Sequence, residues 1–494
     1  MPARGARGRP ARPGRRGAAA GAARPYVPSG RPRRDGAALL GRRGGPRRCR
    51  PPGDARRRHA ARPGPVGGAV VTTVSRRTLL RAAATTAATA TVGGCGQGRR
   101  SVQVAVVWAG GELARFRQVV ADYPTSVQVI GVGNDIDAFL TARRAAGTSP
   151  DVAILPRPGL VVEYARRGWL SEVSPAASYT APGGMADLLD VDRRRYGVWV
   201  KAAHKSLFWH FPSMLDEPPR SWDALVWLTR RLGARHRAGA GPAPLAIGAA
   251  DGWVLTDWFE NVLADVAGAD LYAALARGEA DWRGPSVAYA LDRLAELWSV
   301  DGAFPGGGRR ALLTQFEESI IQVVHHREAV MVFEADFVDA VVDRFRQGSE
   351  PLVTFRFPGA RVTEQPLIVG GDAAVAFTGS PGGADLVHWL SQATTFRPWL
   401  DAGGYLSPNL AVPVDSYRDP LRRRLADELR TADTVRFDLS DQLPGTFTGT
   451  DGVGIWRIMQ DFFMNVTGGM PAREAIRQAT GQLAEAARTA GGGR

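Results

Sequence analysis

Residues 102–155 read VQVAVVWAGGELARFRQVVADYPTSVQVIGVGNDIDAFLTARRAAGTSPDVAIL, and the alternation inside this stretch decides the fold class. Residues 102–108, 127–132 and 151–155 are short apolar runs of strand type, whereas 112–123 and 137–146 space their apolar residues at helical intervals. Strand and helix alternating at this pace predict a parallel, doubly wound α/β layer. Outward from it, the text from 221 to 346 turns mostly helical: SWDALVWLTRRL, DWFENVLADVAG, PSVAYALDRLAELW and SIIQVVHHREAVMVF. Extended segments return at 352–357 and 373–377, followed by a helix over 384–392 and a helical C-terminus. An α/β text on both sides of a helical middle predicts two lobes, with the chain crossing between them more than once and a cleft that a hinge can close.

The 494 residues carry 63 Lys plus Arg against 48 Asp plus Glu, a net charge of +15. That sum suggests a nucleic-acid binder, but its distribution argues otherwise. Residues 1–100 hold 24 Arg and only Asp35 and Asp54 as acids, a net of +22, which leaves −7 for 101–494. No nucleic-acid partner is therefore expected for the body.

Residues 1–73 are Arg, Pro, Gly and Ala with few large apolar side chains, a composition that cannot offset chain entropy. They read as a disordered leader, or as a stretch preceding the true start at Val70, Val71 or Val74. Ser75-Arg76-Arg77-Thr78-Leu79-Leu80 resembles a twin-arginine export motif, and an Ala/Thr-rich run leads to Val92-Gly93-Gly94-Cys95, which resembles a lipobox. Residues 74–95 are then a signal peptide, Cys95 a site of lipid attachment, and 96–100 a tether to the outer face of the cell membrane. Cys49 is the only other cysteine, so the body has no thiol for a disulfide, a zinc site or a nucleophile.

Several pieces in order then carry a family resemblance. They are Val107-Trp108-Ala109-Gly110-Gly111-Glu112, Pro150-Asp151-Val152 with Gly168-Trp169-Leu170, and Lys205-Ser206-Leu207-Phe208-Trp209. Ser221-Trp222-Asp223-Ala224-Leu225, Gly252-Trp253 with Thr256-Asp257-Trp258-Phe259-Glu260, Gly370-Gly371-Asp372 and Gly403-Gly404-Tyr405-Leu406-Ser407-Pro408-Asn409 follow. The chain resembles the extracytoplasmic solute-binding proteins of carbohydrate ABC transporters, the maltodextrin- and α-glucoside-binding group. The resemblance implies a two-lobed α/β fold of the type II periplasmic-binding-protein kind, with a helix-rich second lobe. It also implies a monomer that delivers a mono- or oligosaccharide to membrane permease subunits, without catalysis. Lobe 1 is expected over 101–207 plus 362–408, and lobe 2 over 208–361 plus 409–494. A family disulfide near His325-His326 is not available here, because the cysteines it needs are missing.

A sugar offers apolar C–H faces and a rim of hydroxyls, so its site needs aromatic platforms and side chains that pair with hydroxyls. Trp108 ends a strand just before Ala109-Gly110-Gly111, where strand ends face a cleft, and Glu112 follows it. Trp253, Asp257 and Trp258 cluster at a helix start after Gly252, Glu334 follows the apolar run 329–333, and Asp372 and Tyr405 sit beside glycine turns. These eight residues are the candidate ligand contacts. Core packing and helix-dipole roles are the competing readings for each. Trp222, Trp227, Trp298 and Trp389, at helical spacing with Leu and Val, are read as core.

Asp257 and Glu260 lie three apart on one helix and leave a secreted carbohydrate-active enzyme as an alternative, although helix salt bridging explains the same spacing. A ligand-binding module for a membrane sensor is the other. Adjacent His325-His326 diverge on a helix, no Gly-x-Ser-x-Gly precedes a helix, and Gly306-Gly307-Gly308 lacks a following Lys-Ser/Thr. Neither a metal nor a cofactor is expected.

Overall fold

The computed structural model describes residues 101–359, 365–432, 434–448 and 454–491; the leader, the twin-arginine stretch, Cys95 and the tether lie outside the described residues. The chain begins β1 (Val102–Val106), α1 (Gly110–Val120), β2 (Val127–Gly131), α2 (Ile136–Ala145), β3 (Val152–Leu155) and α3 (Pro158–Arg166). β1 pairs in parallel with β2 and β3, as the alternation predicts. Two adjoining strands follow, β4 (Val198–His204) and β5 (Leu207–His210), then α4 (Trp222–Arg237), β6 (Ala243–Ala246), α5 (Gly252–Ala276) and α6 (Pro285–Trp298). Beyond these lie α7 (Phe316–Val324), β7 (Ala329–Phe333), α8 (Asp339–Phe345), β8 (Val353–Arg356), β9 (Leu367–Ala376) and α9 (Pro381–Leu390). The chain closes with α10 (Arg397–Ala402), α11 (Pro420–Thr431), β10 (Val435–Phe437), α12 (Ile455–Thr467) and α13 (Ala472–Gly491).

Local chemistry sets several of these boundaries. Ser221 Oγ accepts a hydrogen bond from the Ala224 amide and starts α4. Ser380 and Asp419 do the same before Pro381 and Pro420, whose fixed φ suits a first helical turn. α5 is buried on nearly every side from Val254 to Ala264, so it runs through the interior. A Cβ at Gly252 would meet Trp456 Cβ at 2.6 Å, so only glycine lets the starts of α5 and α12 approach this closely.

The first sheet runs β10-β9-β3-β1-β2, with β4 also on β9, and the second runs β8-β5-β7-β6. The first sheet is mixed, which corrects the all-parallel expectation: β9 returns antiparallel to β3 and β4, while β10 runs parallel to β9. β10 comes from the stretch that the sequence reading placed in the second lobe. A second correction concerns 329–333. The text there looked helical but forms β7, because the helix stops at Val324, Arg327 adopts a left-handed φ of 54°, and the AVMVF run pairs on both sides. Trp222 and Trp298 are core, as read, and Trp389 is half-buried against Tyr123. Trp227 is not core: it is 59% exposed, with the Arg231 guanidinium 4.9 Å from its ring.

Only Lys205 and Ser206 separate β4 in the first sheet from β5 in the second. Two further crossings run beside this one. The Lys205 amide donates to Ile368 O, the Ile368 amide to Ser206 Oγ, the Phe357 amide to Ser206 O and the Asp438 amide to Val369 O. The passages between the sheets are thus bonded side by side, and the site is built around them.

Candidate functional site

Lys201 and Lys205 lie four residues apart on the crossing strand, separated by about 13 Å of extended chain. They are the only lysines in a chain that otherwise uses arginine for every basic side chain apart from histidine. Each is buried and surrounded by carboxylates from both parts of the fold.

Lys201 Nζ donates to Glu112 Oε1 at 2.5 Å and lies over the rings of Phe337 (5.2 Å) and Trp399 (5.7 Å). Burial opposes its charge, but Glu112, Asp372 and Asp336 more than compensate. Trp108 Nε1 donates to Asp372 Oδ2 at 2.8 Å, and its ring is wedged edge-on between Phe116 and Trp399. In this structure Trp108 positions Asp372. Burial pushes the Asp372 carboxyl up to about 6 against the pull of Lys201. Asp336 accepts the His204 amide at 2.6 Å and is pushed up to about 7, again by burial first.

Lys205 Nζ donates to Asp257 Oδ1 at 3.1 Å and more closely to Asp438, with Asp441 at 3.6 Å and the Trp253 ring centre at 5.8 Å. Its burial is outweighed by Asp257, Asp438, Asp441 and Glu260, which hold the ammonium well above the usual lysine range. A Cβ at Gly370 would meet Lys205 Cε at 2.8 Å, so the glycine makes room for the lysine stem. Asp438 also accepts from Ser440 Oγ and the Asp441 amide, both at 2.9 Å. Burial and the nearby carboxylates raise Asp257 and Glu334 well above the usual carboxylate range, with Lys205 pulling the other way. Glu334 is 2% exposed, and its Oε1 has no hydrogen-bond partner among the described residues.

The structure thus gathers Trp108, Glu112 and Asp372 around Lys201, and Trp253 and Asp257 around Lys205, with Glu334 within the same electrostatic field. Phe337, 6.0 Å from Trp253, joins the two groups. It does not bring Trp258 or Tyr405 to them. Trp258 is enclosed by Phe208, Phe333 and Phe357, and Tyr405 stacks on Phe396 at 5.1 Å while donating to Val200 O at 2.8 Å. Both rings follow or flank turns, but the turns carry them into the two cores.

Sequence reasoning missed Lys201, Lys205, Asp438 and Asp441. The signal was compositional: two lysines retained among 61 arginines mark positions where a compact ammonium fits and a planar guanidinium does not. Asp257, Glu260 and Asp438 also bring carboxylate oxygens within 4.8 Å of one another, the donor set a hard cation takes. Lys205 already serves Asp257 and Asp438, and Glu260 accepts the Leu439 (2.6 Å) and Ser440 (2.9 Å) amides. The set therefore reads as an ion-pair network that fastens the short helix Leu439–Gln442 to α5.

Two sheets joined by adjacent crossings, with polar and aromatic groups collected at the joint, define a two-lobed binding protein. Residues 112–311 match the family model described as bacterial extracellular solute-binding protein. The osmoprotective compounds-binding protein GgtB of Synechocystis sp. is 30% identical over 392 residues, covering 75% of this chain and 90% of that one. The alpha-glucosides-binding periplasmic protein AglE of Rhizobium meliloti is 26% identical over 385 residues, with 72% and 81% covered. Among solved structures, the bacterial solute receptor AcbH aligns with a TM-score of 0.63 at 16% identity, covering 79% of this chain and 99% of that one. RafE in complex with raffinose aligns at 0.62 and 16%, covering 78% and 100%. The chain belongs to the bacterial extracellular solute-binding proteins.

Proposed function

We propose that this protein binds a saccharide or a glycoside-like small solute between its lobes and, on closure, presents it to the permease of an ABC importer. The observation that carries this reading is the convergence on the crossing strand of acceptor carboxylates (Glu112, Asp372, Asp257, Glu334) with the Trp253 face, an acceptor-and-platform set that suits a polyhydroxylated ligand. The relatives named for α-glucosides and osmoprotective compounds support the same ligand class. Ligand that prefers the closed arrangement shifts the population toward it, which is the state a permease reads.

Catalysis is not part of this reading. Glu260, one of the pair a glycosidase would need, is committed to two backbone amides and Tyr272. We further propose lobes divided at 207/208, 361/362 and 408/409, with β10 exchanged into the first sheet, a monomeric state, and export with lipid attachment at Cys95. Among the described residues no helix is long and apolar enough to cross a membrane. The test is a panel of mono- and oligosaccharides against the purified protein, read by tryptophan fluorescence and melting temperature. Ligand-dependent shifts without turnover are expected, and silence across the panel removes the saccharide assignment.

A further inference from the structure

His204 is the last residue of β4, and its buried ring lies beside the joint between the two sheets. The Ser206 amide donates to its Nδ1 at 3.4 Å. A backbone N–H can only donate, so Nδ1 is the accepting nitrogen. The proton of the neutral ring is therefore on Nε2, which donates to Glu428 Oε2 at 3.1 Å. Ser206 is also where the neighbouring passage is bonded. Its Oγ accepts the Ile368 amide at 3.0 Å and donates to Asn261 Oδ1 at 2.7 Å, and its carbonyl accepts the Phe357 amide at 2.9 Å. Glu428 stands on α11, whose Leu425, Ala426 and Leu429 belong to the first core, and reaches Arg356 of β8 in the second sheet at 3.5 Å. The Arg424–Thr354 hydrogen bond, 2.6 Å, runs beside it. One imidazole thus links the residue on which the passages meet to the bridge between α11 and the second sheet.

We propose that His204 is a proton-operated latch on the joint: the neutral ring holds the Ser206 amide, and a proton added at Nδ1 releases it. Two N–H groups would then face each other at 3.4 Å, so the amide turns away and the crossing loosens. The charged groups facing the ring are Glu428 and Arg356, with Arg424 3.6 Å from Glu428, and the Asp336 carboxyl accepts the His204 amide. Burial opposes the imidazolium first and Arg356 adds to it, with Glu428 pulling the other way, so the ring stays neutral to a lower pH than an ordinary histidine. Burial also opposes charge on Glu428, but His204, Arg356 and Arg424 outweigh it and hold that carboxyl below its usual range. The sign follows: a base with a depressed folded pKa favours the latched arrangement above its free pKa, and acid favours release by up to about tenfold per pH unit below it.

The experiment is hydrogen–deuterium exchange of the full chain, read by mass spectrometry on peptides covering 203–208 between about pH 7 and about pH 5, after correction for intrinsic exchange. Wild-type protection in these peptides falls about 10-fold across that window. His204→Asn keeps an acceptor near the Nδ1 position and does not titrate, so its protection holds steady. Glu428→Gln removes the charge that favours the imidazolium and moves the loss to lower pH; it also carries the test should His204→Asn fail to fold. A merely structural His204 would lower protection equally at every pH when replaced. Wild-type protection that is flat across the window, or a loss that persists unchanged in His204→Asn, overturns the latch. No ligand enters the measurement, so its failure leaves the saccharide reading standing.

Discussion

Lys205 and Asp438 meet across 233 residues of chain, one on the first crossing between the sheets and the other on the third. Their ion pair joins two passages whose backbones also bond through Val369, so the hinge is held by charge as well as by strand pairing.

Removing that charge exposes its cost. Lys205→Met leaves Asp257, Asp438 and Asp441 buried without their cation and lowers stability by about 3–5 kcal/mol. Lys205→Arg does not restore the wild type, because Gly370 leaves room for a narrow stem and the carboxylates surround a single ammonium position. Urea denaturation of the two variants checks both statements, and an Arg variant as stable as wild type would contradict the second.

Four buried carboxyls make stability fall as pH rises toward neutrality, against the smaller opposite pull of the buried His204 and His210. Burial pushes Asp336 and Asp441 up to about 7 and Asp339 and Asp372 up to about 6, well above their unfolded value. A carboxyl with a raised folded pKa binds its proton more tightly in the native state, so its stabilising contribution is complete below the unfolded pKa of about 4 and is lost progressively as pH rises to the folded values of about 6 to 7. The melting temperature is therefore higher at pH 5.5 than at pH 8. Asp336→Asn, which stays neutral throughout, narrows the difference, and an unchanged pH profile in that variant would rule Asp336 out as a contributor.

Two tryptophans reverse the places expected of them: Trp258, expected at the ligand, is buried in the core, and Trp227, expected in the core, is exposed. Trp258→Ala opens a cavity among Phe208, Phe333 and Phe357 and costs about 3–5 kcal/mol. Trp227→Gln, on the exposed face of α4, changes stability by less than about 0.5 kcal/mol. Thermal unfolding distinguishes them in one experiment.

Trp253 is half-buried beside Lys205, so Trp253→Leu acts on the ligand more than on the fold. A loss of about 3- to 10-fold in affinity is expected for whichever saccharide binds best, with little change in melting temperature. A stability loss without an affinity loss would place Trp253 with the core.

Cys95→Ser tests the anchor. Lipid attachment at Cys95 predicts that the wild-type protein fractionates with membranes and that the serine variant moves to the soluble fraction; equal partitioning of the two would remove the anchor.

The first sheet was legible because β1, β2 and β3 alternate with helices that are local in sequence, and each helix shows its own apolar stripe. Of the second sheet only β8 was read, as the extended segment 352–357. β5 and β6 are four-residue runs buried throughout, whose text does not differ from that of a buried helix turn, and β7 sits inside a longer apolar stretch. In the site, Glu112, Asp372, Trp253 and Asp257 were visible as polar or aromatic residues beside glycine turns. Their meeting point was not, since Lys201 and Lys205 acquire their partners through crossings that join residues 52 to 233 positions apart. Trp258 and Tyr405 show the limit of turn signals: a glycine locates a bend without fixing which way the next ring points.

The scarcity of lysine has a practical side. An amine-directed acylating reagent finds two side-chain targets in 494 residues, both enclosed and both held as ammonium ions that cannot attack it. Acylation at Lys201 and Lys205 therefore proceeds only from molecules whose joint has opened. The rate of that reaction, followed by mass spectrometry with and without bound solute, is a clock for the opening itself, built into the chain without any added label.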